Sequence, residues 1–386
     1  MSKLDQLIKE LCPDGVEFKP IKDVYERLRG TPITAKKMKE IENSNGDIRI
    51  FAGGKTVINA MKDSIPKANI TTVPAVLVQS RGVIDFVYYE EPFTFKNEMW
   101  AYTTGKKESV KFLYYVLKNN VEYFRKAASG MGSLPQISLR VTEEFRIPVP
   151  PIEVQREIVR ILDNFTELTA ELTAELTARK KQYEFYRDKL LTFGNVIGGA
   201  TSDVVWRTLG DICNISAGGD APKDSMSKQK TEKYSVPIIS NGIGENALYG
   251  YTDAPKVEEP AVTVAARGTI GYAEYRDYPF YPIIRLLTAI PKDTTVVNAK
   301  YLYYCLQGKQ YSLPMGGIPQ LTAPELKKVE IPVPPLDVQN RLVIVLDNFD
   351  AICSDLKIGL PAEIEARQKQ YEYYRDQLLT FKEKQS

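Results

Sequence analysis

The pattern of apolar and polar positions changes character along the chain, and it does so twice. Over residues 15–145 and again over 203–329, short β-branched runs such as AVLVQ and AVTVA are broken by turn signals at Gly53-Gly54, Asn241-Gly242 and Gly268. That alternation predicts strands joined by tight turns, with few helices. One helix is predicted inside the first stretch, over VKFLYYVLKNNVEYFRKAA at residues 110–128. Pro148, Pro150 and Pro151 then stop the strand pattern. Beyond them Val154, Ile158, Ile161, Leu162, Phe165, Leu168, Leu172, Leu176, Tyr183, Tyr186, Leu190 and Phe193 recur at helical spacing among good helix formers. Residues 153–193 make 41 positions, roughly 60 Å of helix at about 1.5 Å per residue. A helix that long with one apolar stripe needs a partner helix.

The second half supplies it. Val338, Leu342, Val345, Leu346, Phe349, Ile352 and Leu356, then Tyr371, Tyr374, Leu378 and Phe381, form a similar stripe, interrupted by Gly359 and Pro361. Proline is costly inside a helix but comfortable in a first turn, so a kink or restart is expected there. The likeness is written into the residues. RIPVPPIEVQREIVRILDNF at 146–165 matches EIPVPPLDVQNRLVIVLDNF at 330–349, and RKKQYEFYRDKLLTF matches RQKQYEYYRDQLLTF. Upstream, FKPIKDV pairs with WRTLGDI, PAVLVQSRGVI with PAVTVAARGTI, KFLYYVL with KYLYYCL, and LPQIS with IPQLT. The chain is therefore one unit written twice, in the order module, helix, module, helix.

Two similar helices, each preceded by a similar module, can pack antiparallel about a pseudo-two-fold axis. The fold class expected is α+β: two similar mixed α/β domains separated by two long antiparallel helices. The boundaries expected are residues 1–146 for the first module, 147–193 for the first helix, 194–202 for a linker, 203–330 for the second module and 331–386 for the second helix. Helix pairing is assigned to Ile158, Leu162, Phe165, Leu172, Leu176, Tyr183 and Leu190 on one side. On the other stand Leu342, Leu346, Phe349, Leu356, Tyr371 and Leu378. The copies differ in one respect: 13 residues separate Phe165 from Arg179, whereas 17 separate Phe349 from Arg367. The first helix also carries the unit T-A-E-L in tandem. Four residues are about one turn, so such a unit adds roughly 6 Å while rotating the stripe by only about 40°.

Composition narrows the chemistry. The 386 residues include no histidine, which removes His-dependent triads and His metal sites. Four scattered cysteines, Cys12, Cys213, Cys305 and Cys353, form no C-x-x-C, so neither a zinc site nor a disulfide framework is suggested. The longest apolar runs fall short of the ~18 residues of a membrane span, and the polar start is no secretory signal, so a cytoplasmic location is expected. Net charge is only +2. A nucleic-acid function must then rest on local basic patches. Candidates are Lys36, Lys37 and Lys39, Lys55, and Lys223, Lys228 and Lys230, with Arg81 and Arg267 at matched places before glycine. Because they are matched, Arg81 and Arg267 should hold phosphate or framework, with base readout in unmatched segments.

Catalytic motifs fail on inspection. AGGKT at 52–56 lacks the first glycine of a phosphate-binding loop, since Arg49 stands there. PDGVEFK at 13–19 mimics a nuclease motif, but Asp14 and Glu17 lie on one local segment. No N-P-P-[YF] or D-P-P-[YF] marks a base methyltransferase, and no G-x-G-x-x-G opens a βαβ unit.

With these motifs in place the chain resembles the specificity (S) subunits of type I restriction–modification systems. The resemblance rests on IPVPPIEVQREIVRILDNF, IPVPPLDVQNRLVIVLDNF, TAELTAEL and the two tyrosine-rich stretches, and it covers essentially the whole chain. It implies two target-recognition domains, each reading half of a bipartite site on double-stranded DNA. The helices would form a spacer that docks two methyltransferase subunits, with two restriction (translocase/nuclease) subunits completing the complex. S-adenosylmethionine, ATP and Mg would belong to those partners, with no cofactor, metal or catalysis in this chain. The competing readings are a self-contained DNA methyltransferase or nuclease, and a coiled-coil scaffold without DNA binding.

Overall fold

The computed structural model describes residues 2–54, 56–65, 67–129, 134–193, 204–311, 319–355 and 357–385. The chain divides into two units, residues 1–172 with 364–386, and residues 173–363. Each unit holds one module together with stretches of both long helices.

In the first unit the ends of the module meet in an antiparallel ladder of Glu17–Pro20 with Arg146–Val149, Phe18 lying opposite Pro148. Its main sheet has the order Glu26–Arg29, Trp100–Thr103, Ala75–Gln79, Asp85–Tyr89, antiparallel throughout. Every residue of the central strand Ala75–Gln79 is buried. The strand's alternation explains this, because successive side chains serve opposite faces. Val76 and Val78 join the core beneath helix Lys107–Asn119, while Ala75 and Leu77 join Phe51, Phe93 and Phe95 on the other side. Beyond that second core lies a three-stranded sheet of Val57–Ala60, Ile48–Phe51 and Phe93–Phe95. The helix expected over 110–128 is broken into Lys107–Asn119 and Val121–Ala127, because Asn120 leaves helical geometry at φ −104° and ψ 17°.

The second unit repeats the plan. Val205–Thr208 pairs antiparallel with Glu330–Val333, Trp206 opposite Pro332. The main sheet runs Cys213–Ala217, Leu286–Pro291, Ala261–Ala265, Ala273–Arg276, and its central strand is again buried at every position. Helix Ala299–Leu306 lies on it.

The first long helix is continuous over Ile152–Leu191, and the division between units falls within it. The second is made of Leu336–Ser354 and Leu360–Leu378, a restart that places Pro361 in a first turn. In the T-A-E-L stretch Glu167, Glu171 and Glu175 are exposed, while Leu168, Leu172 and Leu176 are half-buried. The hydroxyls of Thr166, Thr169 and Thr177 donate to the carbonyls four residues back, at 2.9, 2.8 and 2.9 Å. These bonds satisfy a residue otherwise indifferent to helices.

Within each unit the two long helices pack antiparallel. In the first unit Ile158 and Leu162 are fully buried, with Leu379 buried and Tyr371 and Leu378 against them; Phe165 stacks on Tyr374. In the second, Tyr183, Leu191, Val343, Leu346 and Cys353 are buried, with Leu176, Leu190, Leu342 and Phe349 against them. Four stripe positions depart from expectation: Tyr186 and Tyr374, each 39% exposed, lie at the rim of the helix pair, and two more lie on the second helix. Val345 and Ile352 are 42% and 46% exposed, and Val343 and Cys353 are buried in their stead. The partner helix and the module cover only one arc of this helix, and that arc lies beside the apolar stripe's centre. Leu356 and the linker 194–202 lie outside the described residues.

The C-terminal tail closes on the first module. Val16 N donates to Lys382 O and Lys384 N to Val16 O, both at 2.9 Å, and Arg146 pairs with Glu383 at 2.7 Å. Gly15 permits the approach: its φ is +98°, and a Cβ there would stand 2.5 Å from Lys382 O.

Candidate nucleic-acid interface

Lys36, Lys37 and Lys39 share the short helix Ala35–Ile41, whose Thr34 cap accepts from Lys37 N. Met38 and Ile41 anchor its inner face. Lys36 and Lys39 are exposed, and Lys37 pairs with Glu40 at 3.5 Å. Arg81 is exposed just past the central strand and bridges by backbone to Gln136. Lys55 lies outside the described residues.

In the second unit Lys223 begins the turn Lys223–Ser225 on the wall of a cleft of about 830 Å³, together with Asn241, Tyr249 and Arg285. The Lys228 ammonium sits 3.6 Å from the centre of the Tyr249 ring and donates to Tyr249 O at 2.9 Å. Arg267 is half-buried, and its carbonyl accepts from Asn241 Nδ2 at 2.6 Å. Lys230 is exposed and is not among the residues lining the cleft. The structure thus gathers the first three lysines on one helix and places Lys223 in a cleft with Asn241 and Tyr249, which in turn contact Arg267 and Lys228.

Two groups of residues were not singled out from the sequence. Arg27 and Arg29 lie exposed on the edge strand of the first sheet, beside a cleft of about 340 Å³ shared with Asn69, Asn97 and Trp100. Asn241 and Arg285 form the other group. All fall outside the sequence motifs that recur in the two halves, so repetition in sequence offers no signal for them.

A second feature is made twice, where each module meets its helix. Asp163 pairs with Lys111 at 2.8 Å and accepts from the Tyr115 hydroxyl at 2.6 Å. Asp347 pairs with Lys300 at 2.8 Å and accepts from the Tyr304 hydroxyl. Burial, then the hydrogen bond to aspartate, pushes both phenols well above their ordinary range. Gln155 and Gln339 tie the helix starts to Pro150 O and Pro334 O, at 2.7 and 2.8 Å. The lysines, tyrosines and aspartates stood in the repeated motifs KFLYYVL, KYLYYCL and LDNF, and the glutamines in IPVPPIEVQ and IPVPPLDVQ, where the matching signalled a shared duty without naming the bond.

Cys12, Cys213 and Cys353 are buried and free, and Cys305 is half-buried and free. Burial pushes the Cys213 and Cys305 thiols up to about 12, so both stay protonated and unreactive at neutral pH. No helix among the described residues is long and apolar enough to cross a membrane. The cleft of the first unit carries guanidinium and amide groups, and that of the second adds an ammonium beside the carboxylates of Asp220 and Asp224, mixtures suited to the edges of nucleic-acid bases.

Comparison with known proteins gives these features a family. Residues 13–179 and 201–366 each match the type I restriction modification DNA specificity domain. A Mycoplasma pneumoniae protein named as a type I specificity subunit is 36% identical over 294 residues, covering 73% of this chain and 85% of that protein. A second from the same organism is 30% identical over 374 residues, covering 95% and 98%. The Escherichia coli EcoR124I/EcoR124II specificity subunit is 29% identical over 414 residues, covering 99% and 98%. Among solved structures, the S subunit of a type I restriction–modification system from M. genitalium superposes with a TM-score of 0.62 at 16% identity, over 95% of this chain and 96% of that one. The chain belongs to the type I restriction–modification DNA specificity family and carries that family's domain twice.

Proposed function

We propose that this chain is the DNA-sequence-recognition subunit of a type I restriction–modification complex. Each module, residues 1–146 and 203–330, reads one half of a bipartite site on a single duplex. The paired helices, residues 147–193 and 331–386, set the distance between the half-sites and dock two methyltransferase subunits. Two restriction subunits complete the cleaving complex. Catalysis, S-adenosylmethionine, ATP and Mg belong to those partners, and the complex works in the cytoplasm. Lys36, Lys37, Lys39, Lys55, Arg81, Lys223, Lys228, Lys230 and Arg267 contact phosphate or support the reading surface.

One observation supports this reading above the rest. The same module-on-helix arrangement is built twice, with matched frameworks and unmatched rims. Two copies of one reader on a shared spacer suit a target of two unlike words at a set gap. Mapping methylated bases in cells that express this chain with its methyltransferase tests it. Two short half-sites with a constant gap are expected. A single contiguous site would overturn the proposal, as would methylation by the purified chain alone. Exchanging residues 1–146 for the module of another family member should change one half-site only.

A further inference from the structure

The two modules can be compared position by position where their frameworks coincide. At the end of the central strand, the Ser80 hydroxyl donates to Glu98 O at 2.9 Å. In the second unit the matched residue Ala266 donates its N–H to Arg285 O, also at 2.9 Å. The residues that follow, Met99 and Leu286, are each 3% exposed. Glu98 and Arg285 therefore stand at one framework position with opposite charge. The Glu98 carboxylate is occupied by Lys96 at 2.9 Å. The Arg285 guanidinium has no ion pair or side-chain hydrogen bond among the described residues, and it is exposed.

The backbone beneath Arg285 is unusual. Its φ is +70°, the left-handed region that side-chain-bearing residues seldom adopt. Such a conformation persists when its surroundings impose it, and it gathers at functional sites. Here the neighbouring loop is tied down. Asn241 Nδ2 holds Arg267 O at 2.6 Å and Thr269 Oγ1 holds Asn241 O at 3.0 Å, bracing the loop that Ala266 joins to Arg285. Asn241 stands two residues past strand Val236–Ile239, and Gly53 stands two past the equivalent strand Ile48–Phe51, so the first module lacks the side chain that makes the brace.

The cleft at Arg285, about 830 Å³, is lined by Lys223 and Asn241 but also by Asp220 and Asp224. Two carboxylates would repel a phosphate. Donors and acceptors interleaved in one cleft suit base edges instead, and a guanidinium pairs bidentately with the O6 and N7 of guanine.

We propose that Arg285 is a specificity-determining residue of the second module, offering its guanidinium to the major-groove edge of a guanine in the half-site that module reads. The proposal rests on the function given above. Glu98 is its counterpart in the first module. Glu98, its carboxylate held by Lys96, offers no guanidinium there, so guanine readout at the matched position belongs to the second module's half-site alone.

The test uses the complex of this chain with its methyltransferase, comparing wild type with Arg285→Gly and Arg285→Ala. Glycine relieves the left-handed backbone, so this variant retains its fold; its melting temperature should equal or exceed that of wild type. Methylation of a library randomised over the wild-type site should lose guanine preference at one position of one half-site, by about 5- to 150-fold, the range for one bidentate contact. The other half-site and the gap should not change. A uniform loss across all sequences, with a shallower salt dependence, would mark a phosphate contact and overturn the proposal. So would an unaltered preference, or a change confined to the half-site that module exchange assigns to residues 1–146. A wild-type complex without two half-sites would instead sink the underlying function, which keeps the two failures apart.

Discussion

The ring of Phe165 stacks on that of Tyr374, centroids 5.6 Å apart and planes 22° from parallel. By the internal repeat Phe349 is the counterpart of Phe165, and Tyr186 that of Tyr374. Tyr186 and Phe349 stack in turn, at 6.2 Å and 26°. One contact is thus made twice, each time between the early part of one long helix and the late part of the other. This is the residue-level signature of one packing unit built twice in a single chain.

The stack itself can be weighed. Phe165→Leu and Tyr374→Leu should each lower the stability of the first unit, and a double-mutant cycle should return a coupling of about 0.5–1.5 kcal/mol. Additive effects in denaturant unfolding would show that the rings touch without contributing.

The aspartates that join module to helix should matter more. Asp163→Asn or Asp347→Asn leaves a buried tyrosine hydroxyl and a lysine without their charged partner, and hydrogen bonds to charged groups contribute about 1.5–3 kcal/mol. A loss of about 2 kcal/mol is expected for each, read by chemical denaturation. Tyr115→Phe and Tyr304→Phe should show part of it. A change below about 0.5 kcal/mol, the range of ordinary surface substitutions, would refute a structural role for the junction.

Glu157 sets a pH dependence. Arg160 at 2.7 Å, and then Lys3 at 3.0 Å, hold its carboxyl down to about 2 against the burial of its side chain. An unfolded glutamate titrates near 4.3. A depressed folded value means the contribution is present above about 4.3 and is lost as pH falls towards 2. Wild type should therefore lose stability faster than Glu157→Gln across that window, and the two curves should converge at its acid end. Parallel curves from pH 5 to 2 would show that the ion pairs contribute nothing.

For the spacer role, deletion of Thr169–Leu172 removes one helical turn, roughly 6 Å, and rotates the stripe by about 40°. At about 3.4 Å per base pair the tolerated gap should shorten by one to two base pairs with both half-sites unchanged. Altered half-sites would show that the helix does more than measure.

The lysines of helix Ala35–Ile41 make a further test. Replacing Lys36 and Lys39 with alanine should weaken DNA binding of the complex on all sequences alike. Each lost phosphate contact lowers the salt slope by about 0.9. A sequence-dependent effect would move these residues from positioning to reading.

Much of the architecture was legible in the residues, for a physical reason. Helical period over some forty positions, the strand-like alternation of AVLVQ and AVTVA, and the restart at Pro361 are set by near neighbours, and a single chain displays near neighbours in full. The repeat added the pairing of helices, since matched stripes have matched partners. The candidate site was legible only in part. The basic clusters stood out as charge, yet whether Lys36 sits on a loop or a helix depended on Met38 and Ile41 finding a core. Other features belong to the tertiary structure alone. The seating of Lys382 and Lys384 beside Val16, the choice of Val343 over Val345 for burial, and the left-handed backbone of Arg285 all come from atoms distant in sequence. A strand end at Ala266 and a braced loop at Asn241 flank a conformation that Arg285's own propensity opposes. Sequence alone determined the repeated frame, because its periods are local. Packing decided which side chains the frame presents, because contacts spanning hundreds of residues exist only once the chain has folded.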